Sequence, residues 1–118
     1  MKKDTRLTDF DLKTILEYEG FKTDDVKSVL ACLFGENDGP SWHYVVELNA
    51  PKDGKKFVYL TGWCDATGWG CRDGSNSELA STALKAAKLA VDDDYGHKNA
   101  KQQLIAQIKG KQPYGLQI

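Results

Sequence analysis

Apolar positions along this chain change their spacing several times, and each change predicts a new element. Phe10, Leu12, Ile15 and Leu16 form a narrow stripe at helical spacing, which predicts a first helix over 8–18. Thr8 is placed to cap it, Asp11 sits three residues on as a shortened capping box, and Leu7 can staple to Leu12. Gly20 supplies the stop. Thr23, with Asp24 and Asp25 in the positive first turn, caps a second predicted helix. In it Val26, Val29, Leu30, Leu33 and Phe34 keep helical spacing until Gly35 ends the run. The stretch 36–40, Glu-Asn-Asp-Gly-Pro, reads as a turn-rich linker.

Two segments rich in aromatic and β-branched residues follow, Trp42 to Leu48 and Lys56 to Trp63, and both read as strands. Asp53-Gly54 between them is a hairpin signal. With that pair at the centre of the turn, Lys52 faces Lys55, Leu48 faces Tyr59, Tyr44 faces Trp63 and His43 faces Cys64. Trp42, Tyr44, Val46 and Leu48 then share a face with Tyr59, Thr61 and Trp63; a longer loop would shift this register. Ser75-Asn76-Ser77-Glu78 has the form of a capping box, which predicts a third helix over 76–92. Its inner stripe, Leu79, Ala83, Ala86, Ala87 and Ala90, is alanine-rich enough to lie close on a sheet. Asp92, Asp93 and Asp94 are unfavourable at the negative end of a helix and belong to the exit. A fourth helix over 98–108 carries Ala100, Leu104, Ile105 and Ile108.

The predicted fold is therefore α+β: two N-terminal helices, a β-hairpin, a structured loop and two C-terminal helices, in one domain spanning 1–118. A lone hairpin is marginal in water. It requires helices over its aromatic face, a third strand (for which the apolar tail 113–118 is the candidate), or a partner on an open edge. The last option allows a homodimer through that edge.

Composition narrows the function classes more than the fold. The chain has 118 residues, 41% hydrophobic and 28% charged, the balance of an ordinary soluble domain. Sixteen basic and seventeen acidic residues leave a formal charge of −1. That balance disfavours nucleic acid and anionic membrane as partners. No stretch is apolar enough to span a bilayer, and no apolar signal region follows Met1. Three cysteines, an odd number without a secretion signal, point to a reducing cytoplasm.

Chemistry concentrates between Thr61 and Gly74. Those fourteen residues hold two of the three tryptophans, two of the three cysteines and four of the eleven glycines. The expected register brings His43 beside Cys64, so a zinc site of His43, Cys64 and Cys71 can be drawn, with Asp65 or His97 as fourth ligand. The six residues between the cysteines are wider than a zinc knuckle's usual pair. A thiol nucleophile at Cys64, with His43 as base and Asp65 or Asp73 orienting it, can be drawn from the same groups. Against both stands the plainer reading of two packed thiols in a compact loop. Gly68-Trp69-Gly70 lacks the Gly-Lys-Ser/Thr ending of a phosphate loop and the third glycine of a dinucleotide fingerprint. Lys52, Lys55 and Lys56 at the hairpin tip read as a solvated charge group.

The strand Trp42 to Leu48, followed by Gly62-Trp63-Cys64-Asp65-Ala66-Thr67-Gly68-Trp69-Gly70-Cys71, resembles a pattern in small bacterial and phage-borne proteins, Cys-Asp-x-Thr-Gly-Trp-x-Cys. The resemblance covers about residues 35–75, has no activity attached to it, and implies a bacterial or phage cytosolic origin. With no complete catalytic set, no cofactor is expected. The favoured reading is a small non-enzymatic protein-binding module, of accessory, inhibitor or immunity type. Trp63, Trp69, Asp65 and Arg72 are its candidate contact residues. The alternatives are the metal or thiol site on His43, Cys64 and Cys71, and a cysteine-dependent enzyme.

Overall fold

The computed structural model describes residues 10–34, 41–63, 74–91 and 97–110. Within them the chain runs α1 (Phe10–Tyr18), β1 (Val26–Leu33), β2 (Ser41–Lys52), β3 (Lys55–Trp63), β4 (Gly74–Ala80), α2 (Ala83–Lys88) and α3 (Ala100–Gly110). The four strands form one antiparallel meander in the order β1-β2-β3-β4. Apolar residues of α1 pack with one set of strand side chains, and those of α2 and α3 pack with the other. This corrects the expected layout of two N-terminal helices, a hairpin and two C-terminal helices.

The first helix is where the stripe places it. Leu12, Ile15 and Leu16 are fully buried against Tyr44, Val46, Val58 and Leu60. Each such side chain contributes about 1.5–3 kcal/mol of transfer free energy. The helix ends in a Schellman motif: Phe21 N–H donates to Leu16 O (2.8 Å) and Gly20 N–H to Glu17 O (3.2 Å), with Gly20 at φ +84°. The expected cap at Thr8 and staple at Leu7 lie outside the described residues, as do the linker 36–40, the acids 92–94 and the tail 113–118.

The second predicted helix is instead a single 3₁₀ turn, Thr23–Asp25, followed by strand β1. Two register shifts against β2 explain the misleading spacing. They fall between Val26 and Ser28 and between Val29 and Ala31, each setting one extra β1 residue against β2. A bulged strand returns to the same face after three residues rather than two. Val26, Val29 and Cys32 thus join the α1 core, while Leu30, Ala31 and Leu33 join the α2/α3 core. The three-residue spacing came from bulges, not from a helical turn.

The third predicted helix divides into β4 and the short α2. Alternation along β4 decides its state. Ser75 and Ser77 turn toward α1, where their hydroxyls donate to Glu19 Oε2 and Oε1 at 2.5 and 2.8 Å. Asn76 and Glu78 stand opposite Thr61 and Tyr59 of β3. The helix begins seven residues later than expected, capped by Thr82, whose Oγ1 accepts from Lys85 N–H at 3.0 Å. Ala86, Ala87 and Ala90 are fully buried, and such small side chains let the segment lie close on the sheet. The fourth helix, α3, matches its prediction to within two residues at each end.

The hairpin turn is as predicted, with Lys52 opposite Lys55 and positive φ at both Asp53 (51°) and Gly54 (77°). The register beyond it is not. Glu47 pairs with Phe57, Val45 with Tyr59, His43 with Thr61 and Ser41 with Trp63, because β2 is irregular between Glu47 and Lys52. Three extra β2 residues lie in that irregularity, and Pro51 within it has no N–H to give a ladder. An odd offset reverses faces. Trp42, Tyr44, Val46 and Leu48 share a core with Val58 and Leu60, while Tyr59 joins the opposite core with Val45.

At Cys32 the outer edge of β1 is bonded by a side chain. Gln107 of α3 accepts from Cys32 N–H at 2.8 Å and donates to Cys32 O at 3.0 Å, as a neighbouring strand would. Gln107→Ala removes both partners from a part-buried backbone unit. The variant is expected to unfold at lower urea, with stability reduced by about 1–3 kcal/mol. Gly20→Ala places a side chain at φ +84° and is expected to cost about 1–2 kcal/mol in the same measurement.

Candidate functional site

The α2/α3 face of the sheet changes character along its length. Beneath the helices it is apolar, with Val45, Tyr59 and Ala80 meeting the buried alanines. Toward the Ser41–Trp63–Gly74 end it turns polar, with His43, Thr61 and Asn76 side by side on β2, β3 and β4. A cavity of about 240 Å³ opens there. His43, Tyr59 and Thr61 line it from the central strands, Asn76 and Glu78 from β4, and Trp63, Leu89 and Val91 from its apolar sides.

His43 is 1% exposed and tightly placed. Its Nδ1 lies 2.7 Å from the Tyr59 hydroxyl, and the two rings stack with centroids 6.0 Å apart. His97 meets it edge-on at 5.8 Å between centroids. The His97 Nε2 lies 2.9 Å from Phe34 O, and because a carbonyl can only accept, that nitrogen carries a proton. Thr61 Oγ1 donates to Trp42 O at 2.9 Å, so it presents only lone pairs to the cavity. Asn76 Oδ1 accepts from Ser77 N–H at 2.9 Å.

Trp63 is 41% exposed at the end of β3, and Val91 is 71% exposed after α2. The indole owes its position to Gly74 across the ladder: a methyl group at Gly74 would overlap the six-membered ring of Trp63. Gly74 is thus required by close approach rather than by an unusual backbone angle.

Of the residues singled out in the sequence, Trp63, His43 and His97 are described. Cys64, Asp65, Trp69, Cys71, Arg72 and Asp73 lie outside the described residues. The expected pairing of His43 with Cys64 is corrected: His43 stands opposite Thr61, and its Nδ1 is held by Tyr59. His97 does come to His43, although 54 positions separate them. No group of three or more His, Cys, Asp or Glu suited to a metal ion occurs among the described residues. No described helix is long and apolar enough to cross a membrane.

Sequence reasoning missed the roles of Asn76, Glu78, Leu89 and Val91. The alternation Ser75-Asn76-Ser77-Glu78-Leu79 was the available signal, but the same letters spell a capping box. Comparison with models of protein families, with curated proteins and with solved structures finds no match.

Two variants test this geometry. Gly74→Ala is expected to displace the Trp63 indole, read as a changed intrinsic emission spectrum relative to the parent. Tyr59→Phe removes the hydroxyl beside His43 in a buried setting and is expected to cost about 1–3 kcal/mol in urea unfolding.

Proposed function

We propose that this protein is a non-enzymatic binding module that recognises another protein, in the manner of a phage or bacterial accessory, inhibitor or immunity protein. The observation that carries this reading is the exposed indole of Trp63 beside Val91 at the rim of the cavity. Tryptophan is enriched among residues that dominate binding energy, particularly where a pocket adjoins it. Trp69, Asp65 and Arg72, which follow in the chain, complete the proposed contact set. A cytoplasmic setting accords with the odd cysteine count.

The metal or thiol reading on His43, Cys64 and Cys71 retains one observation in its favour, the contact between His43 and His97. A metal-bound histidine usually directs its other ring nitrogen to a protein oxygen, as both of these histidines do. Stoichiometric zinc in the purified protein would carry that reading over the first.

Binding is tested by crosslinking the tagged protein in the cells that produce it, beside two single variants. Trp63→Ala is expected to lose the crosslinked partner. Tyr18→Ala, which truncates a 65% exposed side chain of α1, is expected to keep it. Retention in both variants would remove Trp63 from the contact surface.

A further inference from the structure

The cavity beneath Trp63 has a chemical bias that narrows what it can accept. Two of its polar lining groups, Thr61 and Glu78, offer it lone pairs only. The proton of the Thr61 hydroxyl is committed to Trp42 O, and the carboxylate of Glu78 can only accept. Glu78 is the only charged side chain in the described lining. Trp63 lines the cavity with a 41% exposed side chain, while Leu89 and Val91 supply apolar wall. An anion would meet the Glu78 carboxylate with no lysine or arginine in the described lining to offset it. A neutral apolar group would leave the Glu78 carboxylate without a charge partner in the cavity.

The complementary group is a cation with several donors, a flat face for stacking and an aliphatic stem. Arginine meets all three requirements: a planar guanidinium with five N–H donors, affinity for aromatic faces, and three methylenes behind it. Size agrees as well. A cavity of about 150 Å³ holds a benzene ring, and this one measures about 240 Å³. The site is part open, so the stem can enter from a partner's surface. Lysine is a poorer match, since a compact ammonium cannot spread donors across Glu78 and Thr61 while stacking on an indole.

We infer that the cavity bounded by Trp63, Glu78 and Thr61 receives an arginine side chain of the partner protein. This rests on the protein-binding reading and adds the chemistry of the partner's anchor to it. The guanidinium stacks on Trp63, donates to the Glu78 carboxylate and Thr61 Oγ1, and leaves its methylenes against Leu89 and Val91.

The test is an NMR titration of the full chain with the capped peptide acetyl-Gly-Arg-Gly-amide, following the assigned Trp63 indole N–H. The same titration is run with the citrulline peptide, in which an oxygen replaces one guanidinium nitrogen and the charge is lost. Saturable shifts in the millimolar range are expected with arginine, with binding about tenfold weaker for citrulline. Glu78→Gln, a substitution at an exposed position, is expected to weaken the arginine peptide about threefold and to reduce its salt dependence. Equal binding of the two peptides, or no saturation with arginine, overturns the inference. Tighter binding of free arginine than of the capped peptide overturns the assignment to a protein side chain, and saturation by a nucleoside alone reassigns the pocket to a base. None of these results alters the crosslinking outcome for Trp63→Ala, so the two readings fail separately.

Discussion

Strand β2 is buried on both faces from Ser41 to Val46, and the rest of the structure depends on that constraint. A strand covered on one side can present a polar face to water. One covered on both must hand each successive side chain to a different core. Tyr44 and Val46 go to α1, and Val45 to α2 and α3. A slip of one residue would exchange these sets, placing His43 among the leucines of α1 and Tyr44 against the alanines. The irregularity between Glu47 and Lys52 prevents this, since it absorbs the mismatch between the tight Asp53-Gly54 turn and the register the cores require.

The two cores differ in the size of the side chains that fill them. On the α1 side, large residues fill the layer: Leu12, Ile15, Leu16, Trp42 and Tyr44. On the other side Ala86, Ala87 and Ala90 bring α2 close to the sheet, but α2 spans only Ala83–Lys88. Where the chain leaves it, Leu89 and Val91 become walls of the cavity, and the sheet beneath turns from Val45 and Tyr59 to His43 and Thr61. A polar floor is stable there because its groups are already partnered, His43 by Tyr59 and Thr61 by Trp42 O. At Cys32 the outer edge of β1 is bonded by the amide side chain of Gln107, which supplies the donor and acceptor a neighbouring strand would.

Particular residues show where sequence reading succeeded. The stripe Leu12-Ile15-Leu16 with Gly20 after it leads to α1, and Ala100, Leu104, Ile105 and Ile108 to α3, because both helices face one core and show their period openly. Asp53-Gly54 reads as a turn because positive φ at two successive positions restricts residue choice locally. Val26 to Leu33 failed for a structural reason: bulges give a strand helical spacing, and a bulge exists only relative to its partner strand. Ser75 to Glu78 failed because the hydroxyls that suggest a capping box serve Glu19, 56 residues distant from Ser75. The candidate site was legible in part. Trp63, His43 and His97 stood out by type, whereas Asn76 and Glu78 acquire meaning only beside Thr61 and Tyr59.

The sequence by itself determined what depends on neighbours within a few positions: two helices, the hairpin turn, the charge balance, and the cluster of tryptophans and cysteines after Thr61. The tertiary structure alone decided the parity of β2 against β3, the strand state of Val26–Leu33 and Gly74–Ala80, and the meeting of His43 with His97 and of Glu78 with Trp63 at one cavity. Local patterns record a residue's own conformational preference and its period. Register, bulges and pocket walls are instead settled by which side chains must share a core, and that is a property of strands and helices only once they are packed together.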